Sequence, residues 1–231
     1  MLFPGQKYHS MKNNRHKPDL RLYLVTDRTL SLGRPLEWIV SEAVKGGVSF
    51  VQLREKELCT KDFLELAKAL KCLLSPLNIP LVINDRVDIA LAADADGVHI
   101  GQSDMPCEDA RKLLGYDKII GLSIESLEDA IAANNLDIDY IAYSPVFDTL
   151  TKTNTSRALG LEGIKKISSF TRYPSVAIGG INKSNATDVI NSGANGISVV
   201  SAIMSAEDPL KSAKELRSIV DKALSNRDLK I

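Results

Sequence analysis

The sequence predicts an α/β protein folded as a single (β/α)8 TIM barrel with a short disordered N-terminal head, and three observations carry that prediction. From Leu20 onward, short apolar runs rich in β-branched residues alternate with segments of helical period, eight times over roughly 210 residues. The stretch Phe50-Val51-Gln52-Leu53-Arg54-Glu55-Lys56 alternates oily and polar side chains between two helix-period segments, the setting of a parallel strand covered by helices. No linker or composition break divides the chain, and its 231 residues fit the size of one such barrel. An open doubly wound sheet is the alternative.

Each repeat has its own punctuation. Leu22 to Thr26 is the first strand, and the first helix runs from Leu36 to Val44, ending at Gly46-Gly47. The second strand is the alternating stretch itself, which sends Gln52, Arg54 and Lys56 to one face. A helix from Lys61 to about Leu74 follows. Pro80 introduces Leu81-Val82-Ile83, then a short helix reaches Ala93. Gly97 to Ile100 is the fourth strand, with Glu108 to Leu114 as its helix. Ile119 to Leu122 and Tyr140 to Tyr143 are the fifth and sixth strands, with helices at Leu127 to Asn134 and near Leu161 to Ser168. Ser175 to Ile178 and Gly196 to Val200 complete the set, with a helix from Ser184 to Asn191 between them. Asp208-Pro209 open the last helix as cap and first-turn proline. Residues 1–19 carry Lys7, Lys12, Arg15 and Lys17 with no acid before Asp19 and no apolar period. They read as a disordered basic head, and 20–231 as the catalytic barrel.

Composition excludes several classes. Lys and Arg total 29 and Asp and Glu total 29, so no net charge favours nucleic acid or an anionic membrane. No run approaches the length of apolar residues that spans a bilayer. Three cysteines without Cys-x-x-Cys spacing, Cys59, Cys72 and Cys107, read as reduced thiols of a cytoplasmic protein. Three histidines leave little for a histidine-based mechanism, and His99 reads as a satisfied strand-end histidine. Partners are therefore small molecules, with association into a homo-oligomer left open.

In such barrels the reactive groups follow the strands. The predicted strand ends supply Gln52, Arg54 and Lys56, then Asn84 and Asp85, then Gln102 and Asp104. Ser123 follows the fifth strand, and the sixth loop holds Thr149, Thr151 and Lys152. Gly179-Gly180 and Val200-Ser201 end the last two. Buried cations at a strand end require carboxylates or a phosphorylated ligand as counter-charge. The glycine pair either turns the chain or exposes backbone N–H groups to a phosphate, where barrels commonly bind one. Asp85 and Asp104 either cap helices or hold Mg²⁺. Lys152 is a solvated loop residue, a second phosphate binder or a Schiff-base lysine. With no histidine dyad, the set suits chemistry driven by positioning and charge stabilisation, with diphosphate as leaving group.

Taken in order, these segments resemble the thiamine-phosphate synthase family: Tyr23-Leu24-Val25-Thr26-Asp27, Val51 to Lys56, Asn84-Asp85-Arg86, and Asp96 to Gln102 with Asp104. Pro145-Val146-Phe147 with Thr149, Thr151 and Lys152, Ile178 to Ile181, and Val200 to Ile203 extend the resemblance over roughly residues 20 to 215. It implies a transferase that joins 4-amino-2-methyl-5-hydroxymethylpyrimidine diphosphate to a thiazole phosphate, by loss of diphosphate and attack on a pyrimidine-stabilised carbocation. By the same resemblance Gln52, Arg54, Lys56, Asn84 and Lys152 hold the pyrimidine diphosphate, with Ser123 near its ring. Asp85 and Asp104 bind Mg²⁺, and Thr149, Thr151, Gly180, Val200 and Ser201 receive the thiazole phosphate. Arg54, Lys56, Ser123 and Lys152 are the catalytic set.

Two positions depart from the family pattern. Ser144 stands where glycine usually precedes Pro-Val-Phe, and Glu125 where relatives commonly show histidine. A sister group that isomerises the thiazole phosphate uses a histidine there, so Glu125 weakens that rival. A non-catalytic sensor barrel and a Schiff-base aldolase are the other readings.

Overall fold

The structure, a computed structural model, describes residues 18–148 and 158–229. Eight parallel strands close in sequence order: β1 Leu22–Val25, β2 Phe50–Leu53, β3 Leu81–Asn84, β4 Gly97–Ile100, β5 Ile119–Ile124, β6 Tyr140–Tyr143, β7 Ser175–Ile178 and β8 Gly196–Val199. Closure is made where Tyr23 of β1 pairs with Ser198 of β8, so no strand edge is left open.

Side-chain alternation sorts residues into two layers. Leu22 and Leu24 of β1, Val51 and Leu53 of β2, and Ile83 of β3 face the surrounding helices and join their apolar faces in one core. Tyr23, Val25, Phe50, Val82, Tyr140, Ala142 and Val176 point inward and fill the barrel. The inner aromatics meet edge-on, with Phe50 and Tyr140 centroids 5.5 Å apart, a favourable geometry for their quadrupoles. Gly121 of β5 sits opposite Tyr140, and a Cβ there would lie 2.1 Å from the Tyr140 ring. Glycine is what admits that ring.

At the end of the barrel where the strands begin, Arg111 is 6% exposed on helix Cys107–Leu114. It donates to the carbonyls of Gly115, Lys118 and Asp137 and to Asp139 Oδ2 at 2.9 Å. The last helix, Pro209–Asp228, is capped as its sequence predicts, Asp208 Oδ1 accepting from the Lys211 N–H at 2.9 Å. Asp19, at the end of the expected head, is held by Arg21 and Arg217. Residues 1–17 of that head lie outside the described residues.

Four expectations are corrected. β2 stops at Leu53, because the Arg54 N–H donates to the Thr26 side chain instead of a ladder carbonyl. Arg54 and Lys56 therefore stand on the loop beyond the strand rather than buried in it. β5 runs two residues further than expected, its Ile124 pairing with Tyr143, which places Ser123 inside the strand. β8 ends at Val199 because the Val200 carbonyl accepts from the Ile203 and Met204 N–H groups, opening a short helix over Ser201–Met204. The helix expected from Ser184 starts at Ala186, since Ser184 and Asn182 first form side-chain-capped turns.

Candidate active site

A cavity of about 770 Å³ opens at the strands' C-terminal ends. Its lining includes ten of the candidate residues: Gln52, Arg54, Lys56, Asn84, Asp85, Asp104, Ser123, Gly180, Val200 and Ser201. They come from the C-terminal parts of six different strands and the loops that follow them, and converge only because the sheet closes. Thr149, Thr151 and Lys152 lie outside the described residues.

One side of the mouth carries charge. Lys56 Nζ donates to Asp85 Oδ2 at 2.6 Å, and Arg54 Nη1 lies 3.6 Å from Asp27 Oδ2. Both cations are partly exposed, with carboxylates as counter-charge. Asp27 is itself fixed by the backbone N–H groups of Thr29 and Leu30. Asp85 adopts a left-handed backbone conformation, φ 61°, a strained state for a residue with a Cβ. That conformation turns its side chain beside Asp104, whose Oδ2 accepts the Gly101 N–H at 2.7 Å. Burial pushes the Asp104 carboxyl above the usual carboxylate range, and the adjoining Asp85 raises it further. Neither aspartate caps a helix. Two hard oxygen donors pressed together in a pocket form a donor set that fits Mg²⁺, the remaining ligands coming from water or phosphate. Among the described residues no cluster of three or more His, Cys, Asp or Glu side chains forms a fuller metal cage.

The opposite side is nearly bare backbone. Gly179 and Gly180 have φ of 105° and 65°, and a Cβ on Gly180 would meet the Asp148 carbonyl and the Phe147 Cβ at 2.9 Å. Beside them, on the neighbouring strand, are Val200 and Ser201, where the chain leaves β8.

At and just beneath the cavity floor lie Tyr23, His99, Ser198 and Tyr140, none of them among the candidates expected from the sequence. Gln52 Nε2 donates to the Tyr23 hydroxyl at 2.6 Å, and Tyr23 and Tyr140 hydroxyls are 2.8 Å apart. Tyr140 reaches His99 Nδ1 at 2.9 Å, and His99 Nε2 lies 3.0 Å from Ser123 Oγ. His99 is the satisfied histidine expected, yet it bridges two site residues. Gln102 Nε2 steadies the strand by donating to the Ser123 carbonyl at 2.6 Å. Ser198 Oγ is buried at the floor with no hydrogen-bond partner among the described residues. The usable signal was positional, since Tyr23, His99, Tyr140 and Ser198 each fall on an inward phase of their strand.

Residues 22–203 match the family model for thiamine monophosphate synthase. The thiamine-phosphate synthase of Leptospira biflexa is 56% identical over 201 residues, covering 85% of this chain and 96% of that protein. That of Albidiferax ferrireducens is 54% identical over 202 residues, covering 87% and 92%. Among solved structures, thiamine phosphate pyrophosphorylase from Pyrococcus furiosus superposes with a TM-score of 0.83 at 43% identity, over 90% of this chain and 98% of that one. A 3-hexulose-6-phosphate synthase at 18% identity and a TM-score of 0.64, covering 87% and 99%, shares the fold alone. With the match spanning every strand of the barrel, the chain belongs to the thiamine-phosphate synthase family of transferases.

Proposed function

We propose that this enzyme makes thiamine phosphate from 4-amino-2-methyl-5-hydroxymethylpyrimidine diphosphate and 4-methyl-5-(2-phosphoethyl)thiazole, or its carboxylated form, with release of diphosphate. The observation that carries the reading is the two-sided mouth. A wall of Arg54, Lys56 and Asn84 beside the Asp85–Asp104 pair faces a backbone cup at Gly180 and Ser201 across one cavity. Two phosphorylated substrates need two such anion sites.

In this reading Gln52 and Ser123 hold the pyrimidine ring, and Arg54, Lys56, Asn84 and Lys152 hold its diphosphate. Thr149, Thr151, Gly180, Val200 and Ser201 receive the thiazole phosphate. The C–O bond to diphosphate breaks with its electron pair leaving on oxygen, which gives a carbocation stabilised by the pyrimidine. The thiazole nitrogen then donates its lone pair to that carbon. Arg54, Lys56 and Lys152 neutralise the departing charge, so no protein nucleophile and no proton transfer are required. Mg²⁺ held by Asp85 and Asp104 would supply further positive charge to the diphosphate oxygens. Lys56, which donates to Asp85 Oδ2 at 2.6 Å in the free protein, would give its ammonium to the diphosphate if Asp85 held the metal. The setting proposed is the cytoplasm, where Cys59, Cys72 and Cys107 stay free thiols. Among the described residues, no helix is long and apolar enough to cross a membrane.

The test is an assay of wild type and Asp85→Asn with both substrates, with and without Mg²⁺, following thiamine phosphate and diphosphate together. Metal-dependent formation of both products in equal amounts, lowered about 10²- to 10³-fold in the variant, is expected. Isomerisation of the thiazole phosphate without the pyrimidine substrate, and no coupling, would transfer the assignment to the tautomerase-type reading.

A further inference from the structure

The floor contacts form one continuous chain of hydrogen bonds from Gln52 through Tyr23, Tyr140 and His99 to Ser123, and its protons can be counted. Each phenol has one proton to give, and a neutral imidazole has one N–H. Gln52 donates its amide N–H to Tyr23, so the Tyr23 proton passes to Tyr140 and the Tyr140 proton to His99 Nδ1. Nδ1 is then an acceptor, which puts the imidazole proton on Nε2, directed at Ser123 Oγ. The Ser123 hydroxyl, already accepting, has its own proton left for the cavity. Begun from the opposite tautomer, the same bonds leave the Tyr23 proton without an acceptor among them.

Independent geometry supports the role of Tyr140. Gly121 leaves the space its ring and hydroxyl occupy, a Cβ there lying 2.3 Å from the hydroxyl oxygen. The His99 ring stacks on it at 26° and 5.5 Å. Burial holds both phenols well above their ordinary range, so both keep the protons the relay needs.

We infer that Tyr140 and His99 are positioning residues: the relay locks His99 in its Nε2–H tautomer and turns the Ser123 hydroxyl into a fixed donor toward a ring nitrogen of the bound pyrimidine. This rests on the proposed function, in which the pyrimidine lies at Ser123. The tautomer itself does not, because it is a property of the free protein.

The experiment is ring-nitrogen NMR of isotope-labelled histidine in the full chain. The chain has three histidines, and His99→Gln identifies the relevant signals. Wild type is expected to show a single Nε2–H tautomer, and Tyr140→Phe a mixture of the two. In the coupled assay, Tyr140→Phe is expected to raise KM for the pyrimidine diphosphate about tenfold, as for one hydrogen bond lost, with KM for the thiazole phosphate unchanged. A wild-type proton on Nδ1, as when Gln52 turns end for end and reverses the relay, overturns the inference. So does a Tyr140→Phe variant with wild-type KM for the pyrimidine substrate. If wild type produces no thiamine phosphate, the proposed function fails while the tautomer measurement on the free protein still decides the relay.

Discussion

Lys56 Nζ rests 2.6 Å from Asp85 Oδ2, and Asp85 reaches it from a left-handed backbone that costs a residue with a Cβ roughly 1–2 kcal/mol. Asp85→Gly and Asp85→Ala lose the same carboxylate, so they differ mainly in backbone. Gly is expected to be more stable than Ala by about 1 kcal/mol. Urea denaturation midpoints of the two variants check this. Equal midpoints would mean that the backbone relaxes out of the left-handed region once the side chain is gone.

Asp104 gives a pH signature. Its folded-state carboxyl sits above the usual range because of burial first and Asp85 second. The native state thus holds this proton more tightly than the unfolded chain does. The contribution is present below the unfolded value, about 3.9, and is lost as pH rises through the folded one. Removing the group should therefore help more at neutral pH than in acid. Asp104→Asn is expected to gain in thermal midpoint relative to wild type between about pH 3 and pH 7. Added Mg²⁺ should raise the wild-type midpoint and leave the variant's nearly unmoved, which differential scanning at several metal concentrations would read.

Gly180→Ala places a Cβ at φ 65° and 2.9 Å from the Asp148 carbonyl. The strain alone is roughly 1–2 kcal/mol. The predicted outcome is a raised KM for the thiazole phosphate with little change for the pyrimidine diphosphate. Steady-state kinetics with each substrate varied in turn measures the split.

Arg111 tests the opposite end of the barrel. Replacing it by Met leaves the Asp139 carboxylate without its guanidinium and three carbonyls without their donor. A loss of roughly 3–5 kcal/mol in unfolding free energy is expected. The turnover of the folded fraction should be unchanged, since no Arg111 contact touches the cavity. A fall in kcat at full folding would contradict that separation.

Strand order and number were legible because each apolar run is bounded by glycine, proline or a helix-period segment. At Phe50 to Lys56 the polar–apolar beat continues past Leu53, where the hydrogen-bond ladder has already ended, because the beat reports burial and not bonding. Ser123 directly follows the apolar run Ile119 to Leu122 and so reads as a strand-end residue, yet it lies within β5 and lines the cavity. The helix Ser201–Met204 spans little more than one turn, too short to display a period. Of the site, the ten described candidates on the cavity wall were legible as strand-end residues. Tyr23, His99 and Tyr140 were not, because 117 residues separate the two tyrosines and only barrel closure brings their hydroxyls together.

The pairing of Tyr23 with Ser198 bears on how the chain is made as well as how it works. A chain growing from its amino end exposes β1 early, and the partner of that strand is the last of the eight to be synthesised. Until β8 emerges, β1 keeps an unpaired row of amide and carbonyl groups, the template on which foreign strands add. Long-range closure of this kind is slow to form. The window between synthesis of β1 and arrival of β8 is thus the period when this edge of the nascent polypeptide is open to pairing with other chains.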